Sequence, residues 1–127
     1  MEVFIIKIKV KGYLKNLTEN TKELIDTKGI KSNNIISYII DNTKYKLTIE
    51  NKKIFLLRES NEFIHTMTFE ENTTYPSEYF LKESKYSLDF NIKTIKIIIN
   101  KTKVNITYKI LESENTYNYV LEVSDNL

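Results

Sequence analysis

The sequence predicts an all-β protein, a single antiparallel up-and-down β-barrel of eight or more strands, on three observations. Apolar and polar residues alternate with period two, cleanly in Ile6-Lys7-Ile8-Lys9-Val10-Lys11, Tyr45-Lys46-Leu47-Thr48-Ile49-Glu50, Phe63-Ile64-His65-Thr66-Met67-Thr68-Phe69, Tyr86-Ser87-Leu88-Asp89-Phe90, Val104-Asn105-Ile106-Thr107-Tyr108-Lys109-Ile110 and Tyr117-Asn118-Tyr119-Val120-Leu121-Glu122-Val123. Strand side chains point alternately to opposite faces, so the pattern describes a sheet with one dry and one wet face. Turn residues interrupt it about every 8–12 positions, the spacing of sandwiches and barrels. Short turns favour a meander, and closure removes the edges that a long antiparallel sheet would otherwise expose. No stretch reads as a linker, so one domain is expected over residues 1–127.

The first strand is expected over residues 3–13. The next segment admits two readings. Asn20-Thr21-Lys22-Glu23 could cap a helix that stops at Gly29, but such a helix would bury little more than Leu24 and Ile25. A strand over 21–28 is preferred. Strands then follow at 34–41 and 43–50, separated by Asp41-Asn42, and at 53–59 after Asn51-Lys52. Ser60-Asn61 precedes a strand at 62–70, and Asn72-Thr73 precedes one at 77–82. Further strands are expected at 85–92 and 94–100, at 103–112 after Asn100-Lys101, and at 116–124 after Ser113 to Asn115. Asn tolerates the left-handed conformation that hairpins demand, so in a chain with only Gly12 and Gly29 it takes the usual place of glycine.

Composition narrows the function classes. The chain has no cysteine, which excludes a thiol nucleophile, Cys-rich zinc sites and disulfides. Lys7, Lys9 and Lys11 interrupt the apolar start, unlike a signal peptide, and no apolar run approaches the roughly 20 residues that span a bilayer. A soluble, cytoplasmic protein without membrane association is expected. Ile, Lys and Asn dominate while Ala, Gln and Trp are absent, a bias toward A/T-rich codons. A net charge of +2 with both signs scattered is a solvated surface rather than a nucleic-acid footprint. Against this bias Arg58 stands out as the one arginine beside eighteen lysines. Its planar fork is a geometry that Lys cannot mimic, which suggests a structural clamp on carbonyls or a carboxylate; chance survival of its codon is the alternative.

The stretch from Tyr45 to Val123 also resembles a known family. An apolar strand ends in Arg at Ile54-Phe55-Leu56-Leu57-Arg58, a Met-x-Phe strand follows at Met67-Thr68-Phe69, Tyr79 lies near the next strand's start, and a later strand closes on Tyr108-Lys109-Ile110. These elements resemble the YwiB-like family of bacterial proteins. Ser60, Ser84 and Ile92 depart from its pattern, the first two where glycine is usual. The resemblance implies a calycin-like, lipocalin-related barrel and no catalytic residues.

Candidate site residues are few. His65 is the only histidine, which removes two-histidine metal motifs and most triads. It shares parity with Phe63, Met67 and Phe69 and should point to the dry face, as a satisfied core residue or as a ligand contact. There is no Gly-rich phosphate loop or Gly-x-Ser-x-Gly elbow, and Glu70-Glu71 reads as turn solvation. No metal, cofactor or enzymatic activity is expected. Several of the nine tyrosines converging inside a barrel would give apolar walls with polar handles, the constitution of a small-molecule site; plain strand packing is the bland alternative. The expected ligand contacts are His65, Tyr79, Tyr86, Tyr108 and Tyr117, around a small, mainly apolar ligand. Ile95-Lys96-Ile97-Ile98-Ile99 and Ile35-Ile36-Ser37-Tyr38-Ile39-Ile40 are apolar on both faces, as in a homodimer interface or beneath a folded-back N-terminal hairpin. A filled barrel acting through such an interface is the alternative function.

Overall fold

The computed structural model describes residues 5–125 as ten antiparallel strands closed into one barrel. Of the expected domain, residues 1–4 and 126–127 lie outside the described residues, among them Val3 and Phe4 of the first expected strand. The strands are β1 (Ile5–Asn16), β2 (Thr21–Ser32), β3 (Ile35–Ile40), β4 (Thr43–Glu50), β5 (Lys53–Glu59), β6 (Phe63–Glu70), β7 (Thr74–Leu81), β8 (Tyr86–Ile99), β9 (Lys103–Ile110) and β10 (Asn115–Asp125). Each pairs with its neighbour in sequence, and β1 closes the cylinder on β10, so the chain is an up-and-down meander. The segment around Leu24 is strand, as preferred, and β2 runs on through Gly29 to Ser32.

The turns follow the asparagine reading. Asn20, Asn33, Asp41, Asn42, Asn51 and Asn72 all adopt positive φ, joined by Lys85 and Glu114, while neither glycine does. The glycines serve close approach instead. A Cβ on Gly12 would overlap the Val120 carbonyl oxygen, and one on Gly29 would overlap that of Ser37. Both therefore let a neighbouring backbone cross tightly where β1 meets β10 and β2 meets β3.

One expected boundary is absent. The strands foreseen at 85–92 and 94–100 form the single strand β8, with a register shift between Thr94 and Lys96. This bulge puts Ile95 and Lys96 between inward Thr94 and inward Ile97. Ile97 and Ile99 take the inward parity, Ile99 still 37% exposed near the strand end, while Ile95 and Ile98 are exposed on the outside. Ile39 of β3 is exposed in the same way. Glu70 and Glu71 do more than solvate a turn: Glu70 accepts a hydrogen bond from the Tyr75 hydroxyl at 2.7 Å, and Glu71 accepts one from the Ile97 amide at 2.8 Å.

The middle of the bore is solid. Val10, Leu47, Ile54, Phe69, Ile92, Ile106 and Leu121 are each at most 1% exposed and meet from seven different strands. Ten strands enclose a wider bore than the eight that side chains just fill, and aromatic rings occupy the extra width toward one end. That end carries the turns at 17–20, 41–42, 60–62, 82–85 and 111–114. It is the mouth where the candidate site lies. Among the described residues no helix is long and apolar enough to cross a membrane.

Candidate functional site

The site is built by strand register. Tyr38, Tyr45, Arg58, His65 and Tyr79 pair in succession across β3 to β7, a single row around half of the barrel wall. All five share the parity of the core residues Ile36, Leu47, Leu56 and Met67, so all five project inward. Tyr117 and Tyr108, paired with each other on β10 and β9, and Tyr119 complete the aromatic lining from the opposite wall.

The rings close the floor of the mouth. Tyr38 stacks on Tyr45 with centroids 4.7 Å apart, Phe63 on Tyr79 at 4.8 Å, and Tyr108 on Tyr117 at 5.3 Å. The Tyr38 and Tyr119 hydroxyls are hydrogen-bonded to each other across the bore, joining β3 to β10. Burial pushes the Tyr38, Tyr108 and Tyr119 phenols above their usual pKa, so all three stay protonated in the ordinary pH range.

Above this floor sits the Arg58–His65 pair. Arg58 Nη1 lies 3.0 Å from His65 Nδ1, and His65 Nε2 lies 3.0 Å from Ser77 Oγ. The Ser77 hydroxyl donates its one proton to the Thr66 carbonyl at 2.7 Å, so it must accept from Nε2. A guanidinium only donates, so Nδ1 accepts from Arg58. The imidazole is thus fixed as the neutral Nε2–H tautomer by its partners alone. Burial, and secondarily the Arg58 charge, push the His65 pKa down from 6.5 to about 4, in agreement with that tautomer.

Arg58 is clamped by rings. Its Cζ lies 5.4 Å from the Tyr45 centroid and 5.3 Å from that of Phe63, so the guanidinium is held between two aromatic groups. The expected carbonyl or carboxylate partner is replaced by His65: among the described residues Arg58 forms no ion pair. No fully buried side-chain nitrogen among them lacks a partner, so the guanidinium nitrogens without a hydrogen bond keep some solvent exposure. What results is a half-buried cation with free donors in an aromatic collar.

Of the expected contacts, the structure brings His65, Tyr79, Tyr108 and Tyr117 together in the mouth. Tyr86 lies apart at the tip of the β7–β8 hairpin, 59% exposed, two positions outside Leu88 on the inward parity. Tyr38, Tyr45, Phe63, Ser77 and Tyr119 belong to the site and were not foreseen. Among the described residues no cluster of three His, Asp or Glu could hold a metal ion. Glu23, inward on β2, is the carboxylate whose charge reaches Tyr108 from the far side of the mouth.

No protein-family model matches the sequence, and no curated protein matches it. Among solved structures, the crystal structure of the ywiB protein from Bacillus subtilis is similar, with a TM-score of 0.69 at 17% identity. The superposition covers 98% of this chain and 94% of that one. Likeness at that identity shows shared architecture and transfers no residue role. The chain has a YwiB-like fold, and this fold is the closed barrel that sets Arg58 in its mouth.

Proposed function

We propose that the protein is a non-enzymatic, calycin-like barrel that binds a small ligand at its aromatic mouth, the ligand having an apolar body and an acidic group. One observation carries the reading: Arg58 is a half-buried cation with open donors and no ion pair among the described residues. A desolvated charge without a counter-ion is costly, and a guanidinium fork matches a carboxylate or phosphate in bidentate geometry. The solid middle of the bore confines the ligand to the mouth. There its apolar body would lie against Tyr79, Tyr108 and Tyr117, while Leu88 and Tyr86 line the rim. His65 is a positioning group in this reading, since both of its ring nitrogens are engaged in orienting Arg58 and Ser77.

Two fluorescent amphiphiles test this: the anionic anilinonaphthalene sulfonate and the neutral phenylnaphthylamine. The native chain should bind the anion more tightly, and Arg58→Met should abolish that preference while leaving the neutral probe's affinity unchanged. Equal preference in the two chains would overturn the proposal. Native mass spectrometry of the untagged protein would then identify the natural ligand as an extra mass lost on denaturation.

The second reading is an interaction protein with a filled barrel, cytoplasmic and homodimeric. The exposed outward side chains of Ile95 and Ile98 favour it. A monomeric mass under the same gentle ionisation would count against the dimer.

A further inference from the structure

A groove of about 730 Å³ crosses the barrel wall over β1 to β5, lined mainly by outward side chains and, beneath them, by Tyr38 and Tyr45 of the mouth row. One cross-strand row forms its floor: Lys7 pairs with Ile30, Ile30 with Ser37, Ser37 with Lys46 and Lys46 with Leu57. Ser37 is small, so the longer side chains around it rise above a shallow trough. Ile39 and Ile30 present apolar surface there, 55% and 43% exposed.

Basic charge predominates around this apolar floor. Lys7, Lys28, Lys44 and Lys46 line it, all exposed, and none forms an ion pair with a described residue. The acidic group in the lining, Glu59, is bridged to Lys82 at 2.9 Å. A second copy of this chain seated here face to face would set lysines against lysines, so self-association does not fit. A backbone feature lies beside the groove. β2 is paired with β3 only from Gly29 to Ser32, which leaves the stretch from Thr21 to Lys28 without a β3 partner along that edge. There the Thr27 hydroxyl donates across to the Ile39 carbonyl.

We infer that this groove is a docking site for an extended acidic peptide segment of a partner protein, one that alternates Asp or Glu with apolar side chains. The lysines take the carboxylates, Ile30, Ile39 and Leu57 take the apolar side chains, and the open β2 edge supplies backbone hydrogen bonds at one end. A trough suits a chain better than it suits a flat membrane. Its exposed surface is aliphatic and basic, and the two rings that line it, Tyr38 and Tyr45, are stacked on each other with Tyr38 buried, so it offers no run of open ring faces for successive nucleic-acid bases.

The test uses a fluorescein-labelled peptide of about ten residues alternating Glu with Leu, read by anisotropy, beside a Gln–Leu control. The Glu–Leu peptide should bind at least about tenfold more tightly than the control, and added salt should weaken it. The double variant Lys44→Glu/Lys46→Glu and the single variant Ile39→Asn should each cost about tenfold or more. All three positions are exposed, and unchanged melting temperatures would confirm that the variants fold. Arg58→Met should leave peptide binding intact, which separates this surface from the ligand mouth. Equal affinity of both peptides, insensitivity to the lysine reversals, or sensitivity to Arg58→Met would overturn the inference. So would stronger binding to phosphatidylserine vesicles or to a single-stranded oligonucleotide at equal concentration.

Discussion

The neutral, buried imidazole of His65 makes stability fall with acid in a calculable way. In the unfolded chain the group titrates near 6.5, and in the folded barrel near 4. A folded pKa below the unfolded one means that the unfolded state takes up the proton first. The contribution is therefore fully present above 6.5 and is lost as pH falls toward 4. Between pH 7.5 and 4.5 the loss is on the order of 2–3 kcal/mol, approaching roughly 3 kcal/mol at still lower pH. His65→Gln isolates it, because Gln can still donate to Ser77 and accept from Arg58 but does not titrate. Urea denaturation of both chains at several pH values cancels the carboxylates they share. The native chain should lose roughly 2–3 kcal/mol more than the variant over that interval. As the single histidine, His65 also gives one imidazole titration curve by NMR. In Arg58→Met its midpoint should rise yet stay below 6.5, because burial is the larger cause. A stability difference that does not change with pH would refute both the tautomer and the burial argument.

Three further outcomes follow from packing and hydrogen bonding. Tyr38→Phe and Tyr119→Phe should each cost about 1–3 kcal/mol by leaving one buried phenol without its partner, while the double variant should cost clearly less than their sum. A denaturant double-mutant cycle measures this coupling. Gly12→Ala should destabilise the barrel by about 1–3 kcal/mol or more, because its Cβ meets the Val120 carbonyl rather than a yielding side chain; a melting temperature unchanged from the native chain would contradict the close crossing of β1 and β10. Arg58→Lys should lower the melting temperature more than Lys52→Ala does, since an ammonium cannot fill the slot between Tyr45 and Phe63 and Lys52 lies in an exposed turn.

Fold and turns were legible because both depend on local chemistry. Alternation placed Val10, Leu47, Phe69, Ile106 and Leu121 on one face, and asparagines marked turns that need positive φ. Lys85 and Glu114 take the same conformation without any residue-type signal, held there by the hairpins around them. The bulge after Thr94 was misread as a strand break because it shifts the parity of everything after it. Ile97 and Ile99 then face inward while Ile95 and Ile98 do not, which makes a half-buried strand look apolar on both sides.

The site was half legible, and the missing half divides in two. Tyr38 and Tyr45 could have been found from turn length. A two-residue turn at Asp41-Asn42 sets Ile40 opposite Thr43 and so Tyr38 opposite Tyr45, and the turn at Asn51-Lys52 likewise sets Tyr45 opposite Arg58. Extending the count through the next hairpin brings Arg58 to His65. The row is thus encoded in hairpin register once the alternation is assigned. Tyr119 is different: it reaches Tyr38 across the bore between strands far apart in sequence, and only closure of β1 on β10 creates that contact. Closure also explains why the single arginine is no clamp on a carboxylate. On an open sheet Arg58 would reach solvent, and a lysine would serve equally well. Inside a closed mouth it must fit beside the rings of Tyr45 and Phe63 while one nitrogen reaches Nδ1 of a neutral imidazole, a set of demands that a planar guanidinium meets and an ammonium does not.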